Sequence, residues 1–201
     1  MSRIEVHERG AVIVETALIL PLLIMLMMGI AEFGLAWRSS TNAASTVRAA
    51  TLEETRGDTT RLIDFKTIER VRATTDSLDD LDWLMIYRVA STDSGGPPKA
   101  CEAAAAALSF GSTGIQGQCT IFHGSYVATA TAADFVDPAC AGEPDRFLCP
   151  TTRDTVFAPT DRVGVAVSID HRWLTGIVPG GGIQLSDHSV SYRLPTLGDL
   201  P

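Results

Sequence analysis

Glu15 is the residue whose chemistry asks for explanation first. Ala11–Val14 precede it and the uncharged run Thr16–Ala31 follows. A carboxylate at the centre of a bilayer costs about 2.5–3.5 kcal/mol on insertion scales, and less near the edge. An acid in the interfacial layer would meet little of that cost, and an acid with a cation beside it would recover it. Cutting the peptide bond after Gly10 would make such a cation, because it frees the α-amino group of Ala11. Residues four apart share one face of a helix, so Glu15 could pair with that amine, or with the amine of a neighbouring chain. The partial positive charge at a helix N-terminus favours a carboxylate in the first turns as well.

The other reactive side chains are more dispersed. Cys101, Cys119, Cys140 and Cys149 contain no C-x-x-C, so the spacing of a zinc ribbon is absent. With His123, His171 and His188 scattered, no metal or other cofactor is expected. Four cysteines that all follow the apolar run suit disulfides formed in an oxidising space. Three connectivities are possible; Cys101–Cys119 with Cys140–Cys149 is expected, because each bond would clip one irregular loop. The acidic group Asp79, Asp80 and Asp82 reads as a solvated turn. Asp170-His171 and Ser186-Asp187-His188 contain the ingredients of a hydrolytic triad, but on strands they read as outward-facing polar residues. G-x-S-x-G, H-E-x-x-H, Walker A and dinucleotide fingerprints are missing, and no enzyme is expected.

These residues must be held by elements that the hydropathy pattern makes visible. Ala11–Trp37 is broken only by Glu15 and Glu32 and, as a helix, rises about 40 Å, more than the ~30 Å hydrocarbon core. The segment lacks the polar stripe of a buried globular helix, so residues 11–37 are expected to cross a membrane. Pro21 should bend the helix. Gly29 and Gly34 are five apart and form no G-x-x-x-G pair. Glu32, near the far edge, is expected to snorkel to the interface. Three fates are open to the run. Signal peptidase could remove it near Ala36 and release a soluble binding or enzymatic domain. It could stay as an uncleaved anchor for a single-pass binding protein. Or the cut could fall after Gly10, ahead of the run, as in prepilins.

The stretch RGAVIVETALILPLLIMLMMGIAEFGLAW resembles the amino terminus of TadE-like proteins, minor pseudopilins of tight-adherence (Tad/Flp) pilus systems. Arg9-Gly10 at the cut, Glu15, Pro21 and Gly29–Gly34 carry the likeness over residues 9–37. A weaker likeness to actinobacterial members lies in Asp161–Gly176 and Leu185–Pro195. The resemblance implies a non-enzymatic subunit that a prepilin peptidase trims between Gly10 and Ala11. It implies retention in the cytoplasmic membrane by a single pass, with the C-terminal head outside or carried into the pilus. Its partners would be other pilin or pseudopilin subunits, a membrane assembly platform and the lipid bilayer, with Glu15 serving assembly.

The rest of the chain fits a folded head. Lys and Arg number 16 against 24 Asp and Glu, a net charge of -8 with a pI near 4.9, which argues against binding nucleic-acid phosphates. Ala43, Val47 and Ala50 recur at helical spacing, so the helix should continue over residues 38–58 to Gly57. A second helix is expected over Thr59–Ser77, with Leu62, Phe65, Ile68 and Val71 or Arg72 on one face. Strands are expected at Trp83–Val89 and Cys119–Phe122. Val163, Val165, Val167 and Ile169 alternate, and so do His188, Val190, Tyr192 and Leu194. Gly176–Gly182 should join these two as a hairpin. The expected organisation is a leader (1–10), a transmembrane helix (11–37), its exposed continuation (38–58) and a head (59–201). The fold class is α+β, a long helix running into a pilin-like head with an antiparallel sheet.

Overall fold

A computed structural model describes residues 5–56, 62–89, 95–135, 147–150, 153, 162–176 and 180–192, with only the backbone of residues 5–10. The first helix, α1, is unbroken from Glu5 to Arg56 and contains Pro21. Its buried stripe begins at Glu32 and Ala36 and continues through Ala43, Val47, Ala50 and Glu54. The small side chains of Ala43, Val47 and Ala50 let the sheet approach the helix closely. Gly57, expected to end the helix, lies outside the described residues.

The elements that follow are α2 (Ile63–Thr74), β1 (Leu81–Val89), α3 (Lys99–Ala107), β2 (Ser112–Ile115), β3 (Cys119–His123), α4 (Gly124–Thr129), a 3-10 turn (Ala132–Phe135), β4 (Arg162–Arg172) and β5 (Gly182–Tyr192). The five strands form one sheet in the order β2-β3-β1-β4-β5, and every neighbouring pair is antiparallel. The α+β architecture expected from the sequence is the one observed.

Period-two alternation divides the sheet into two buried faces. Leu84, Ile86, Phe122, Val163, Val165, Val167 and Ile169 pack with Ala43, Val47 and Ala50 of α1 and with Ile68 and Val71 of α2. Trp83, Met85, Tyr87, Cys119, Ile121 and Ala166 pack on the other side with Cys101 and Ala105 of α3. A bulge between Leu81 and Trp83 shifts the β1 register and returns Leu81 to the helix side. The face of β4 bearing Gly164, Ala166 and Ser168 is therefore buried as well. The Tyr87 ring lies where a Cβ on Gly164 would sit, and its hydroxyl donates to the Gly95 carbonyl at 2.8 Å. Burial, with Glu102 nearby, pushes the Tyr87 phenol up.

Three details depart from the sequence reading. Described α2 starts at Ile63, and Thr59–Arg61 lie outside the described residues. Val71 is the buried member of its pair, while Arg72 reaches out to the Val127 and Ala130 carbonyls at 2.5 and 2.6 Å. On β5 the alternating set His188, Val190 and Tyr192 is not the one that faces α1. Pairing sets Leu185, Asp187, Ser189 and Ser191 opposite Ile169, Val167, Val165 and Val163, so these lie on the helix side. His188 and Tyr192 are exposed, and Val190 packs on the opposite face. Leu194 lies outside the described residues.

Candidate functional site

The exposed apolar half of α1 is the first part of the site. Every residue from Ala11 to Ala31 is exposed, and the helix has a mean hydropathy of 2.5 in its most apolar window. The backbone is helical on both sides of the Gly10–Ala11 bond. Ala11 and Glu15 thus stand one turn apart on one face, and Glu15 is exposed. Thr16 satisfies its hydroxyl within the helix by donating to the Val12 carbonyl at 2.8 Å, which lowers the cost of a hydroxyl among apolar neighbours.

Glu32 is the second part, and it behaves differently from the snorkelling acid expected of it. It is 3% exposed. Its Oε1 accepts the Thr175 backbone N–H at 2.6 Å and the Thr175 hydroxyl at 2.7 Å. Thr175 belongs to the connection between β4 and β5, which includes Gly176, Gly180 and Gly181 at positive φ of 65°, 104° and 72°. Glycine adopts that region without the steric penalty of a side chain. The head therefore grips α1 from inside its apolar run. No signal in the sequence pointed to Thr175, which is 143 residues away from Glu32.

A groove of about 380 Å³ opens beside this latch, lined by Leu35, Arg38, Ser39, Asp76, His171 and Leu174 among others. Ser39 Oγ lies 3.1 Å from His171 Nδ1, and the Trp173 ring meets His171 edge-on at 5.3 Å. Arg38 bridges to Asp76 at 3.2 Å with both side chains largely exposed. His171 and Trp173 thus pack together at the end of the sheet, with Arg172 exposed between them.

The possible triad residues do not converge. Asp187 and His188 are consecutive on β5 and point to opposite faces. Asp187 accepts the His188 backbone N–H at 2.7 Å, while His171 is engaged with Ser39. Among the acidic group, Asp79 and Asp80 occupy a turn and Asp82 lies on β1. Gln184 donates to Asp82 at 2.7 Å. Burial first, and Asp170 second, push the Asp82 carboxyl above its ordinary range. Among the described residues, no group of three His, Cys, Asp or Glu side chains is placed to hold a metal.

Cys101 on α3 is bonded to Cys119 on β3, with a Cα–Cα distance of 6.4 Å, which is the first expected pair. Cys149 is disulfide-bonded too, and Cys140 lies outside the described residues. A further cluster escaped the sequence reading altogether. Arg153 forms ion pairs with Glu54 of α1 and Asp64 of α2, and Thr67 donates to Glu54 at 2.8 Å. All three charged residues are at most 4% exposed.

Among the described residues one helix, α1, is long and apolar enough to cross a membrane, and it continues into the core of an α+β head. The family model described as TadE-like protein matches residues 10–52. That segment runs from the Gly10–Ala11 bond through Glu15 and Glu32 to the part of α1 that packs on the sheet. The resemblance read from the sequence is thereby shown over this segment, and it ties the chain to a Tad pilus system. The TadE-like family is structural rather than enzymatic. The Asp161–Gly176 and Leu185–Pro195 likeness lies beyond the matched residues. No curated protein and no solved structure matches the chain.

Proposed function

We propose that the chain is a minor pseudopilin that supports assembly of a Tad-type pilus and acts through subunit contacts rather than catalysis. A prepilin peptidase trims it between Gly10 and Ala11. The apolar helix then stays in the cytoplasmic membrane with the head outside, and packs beside helices of other pilin or pseudopilin subunits at the assembly platform. The observation that carries this reading is the exposed Glu15, one helical turn from Ala11 and within the residues that the TadE-like family model matches. An exposed acid in an apolar helix needs a counter-charge, and the new amine of Ala11, on this chain or its neighbour, supplies one.

Two further observations support it. Residues 11–31 rise about 31 Å as a helix, close to the ~30 Å of a hydrocarbon core. The buried Glu32 follows at once, so we take the membrane-spanning part to be shorter than Ala11–Trp37. Second, the head holds Glu32 and Ala36 in its interface with α1. A signal peptidase cut near Ala36 would tear both from the head and leave Thr175 without its acceptor. That speaks against release as a soluble domain. The Cys101–Cys119 disulfide is in keeping with a head outside the cytoplasm.

Glu15→Ala tests the role of the acid. The variant should accumulate in the membrane at wild-type levels, because removing an exposed charge eases insertion, while pili are lost or strongly reduced. Glu15→Gln, isosteric but uncharged, should fail likewise. Normal piliation in both would contradict the proposal.

A further inference from the structure

Leu174 follows the only half-buried Trp among the described hairpin residues and is itself 76% exposed. It adjoins Thr175, whose N–H and hydroxyl fix the hairpin to Glu32. On α1, Phe33 follows Glu32 directly and Trp37 stands one turn further on, 69% and 65% exposed, with ring centroids 6.4 Å apart. Lone exposed apolar side chains are ordinary on protein surfaces. These three lie instead around the point where the helix leaves its apolar run, where an interfacial layer must begin if residues 11–31 fill the hydrocarbon core. Exposed Arg172 follows next toward the head, and Arg38 lies one residue beyond Trp37. Apolar and aromatic groups nearest the bilayer with arginines just above them is the order in which acyl chains and headgroup phosphates succeed one another.

We propose that the β4 end of the β4–β5 hairpin is a second membrane contact: Leu174 inserts into the lipid interface beside Phe33 and Trp37, with Arg172 at the headgroups. The inference rests on the reading of α1 as membrane-spanning. Its occupant is the bilayer, and a neighbouring subunit is the alternative that the test separates. The Glu32–Thr175 latch makes this contact specific, since it fixes the hairpin at one level of α1. The head then stands at one tilt and one height above the membrane instead of swinging on a tether. A subunit presented in that way offers the same lateral surface to each incoming partner.

No described cysteine is free, so a fluorophore can be placed at chosen sites through Leu174→Cys, Ile24→Cys and Tyr192→Cys. All three positions are at least 45% exposed. Tyr192 ends β5 about 34 Å along the strand from Gly182. The full chain is reconstituted in vesicles of phosphatidylcholine and phosphatidylglycerol, with a lipid spin-labelled near the glycerol level and iodide as the aqueous quencher. The label at 174 should lose fluorescence to the spin-labelled lipid and resist iodide. The label at 192 should do the reverse, and the label at 24 should resist iodide. Lipid access at 24 but iodide access at 174 would overturn the hairpin inference alone. Iodide access at 24 would overturn the membrane reading beneath it. A label at 174 shielded from both quenchers would mean coverage by another subunit and would also overturn the inference.

Discussion

Asp82 shows how a single carboxylate of the head responds to pH. Burial and the charge of Asp170 raise its folded-state pKa, so the native chain holds this proton more tightly than the unfolded chain. Stability then falls as pH rises through the window between the ordinary carboxylate pKa and the raised one, and stays lower above it. Asp82→Asn removes the penalty while keeping an oxygen for Gln184. The variant should be more stable at neutral pH by less than about 1 kcal/mol, because the site is partly solvated. The difference should vanish below the unfolded carboxylate pKa of about 3.9, as denaturant unfolding at the two pH values would reveal. Glu15 and Glu32 illustrate what single residues disclose. Both are acids in an apolar run, and from the sequence both need an explanation. Glu15 keeps its signal because its setting is local: a glycine, an apolar turn and an acid on one helix. The partner of Glu32 is Thr175, brought to it by the hairpin, and no local pattern encodes that meeting.

Elements were legible where one face is buried and the other is not. The Ala43, Val47 and Ala50 stripe and the alternating valines of β4 announce their periods, and both meet in the core. Where both faces are covered, alternation says less. Gly164, Ala166 and Ser168 are small or polar, yet they are buried. On β5 the side against α1 carries Asp187, Ser189 and Ser191 beside Leu185, a set that no hydrophobic pattern would select. The buried ion cluster is the clearest case of an element contact hidden from sequence. Glu54 and Asp64 sit on two helices, and Arg153 arrives from far down the chain to join them. Removing one partner of a buried pair leaves an uncompensated charge and costs about 3–5 kcal/mol. Arg153→Ala should therefore destabilise the detergent-solubilised chain by that order in denaturant unfolding. Arg38→Ala, which breaks the exposed bridge to Asp76, should cost no more than about 1 kcal/mol. Equal effects of the two would contradict the assignment of Arg153 as the clasp between α1 and α2.

At the scale of the whole molecule, α1 serves two solvents. Its first half presents apolar side chains all round, and its second half presents a narrow stripe to the sheet. The change from one to the other occurs at Glu32, where the head first touches the helix. A cut ahead of the run preserves this continuity, and a cut within it destroys the lower end of the head–helix interface. The likeness of residues 9–37 to TadE-like proteins was legible because it lies in contiguous residues. The manner in which the head seats on the helix was not, because it depends on contacts between segments far apart in sequence.

The most direct test of the account is a mass-spectrometric reading of the mature amino terminus in a host that carries the prepilin peptidase. We expect Ala11 as the first residue of a membrane-retained chain, and Gly10→Ala should leave the leader attached. A mature chain beginning at Trp37, or one that retains Met1 or Ser2 with the peptidase present, would contradict it.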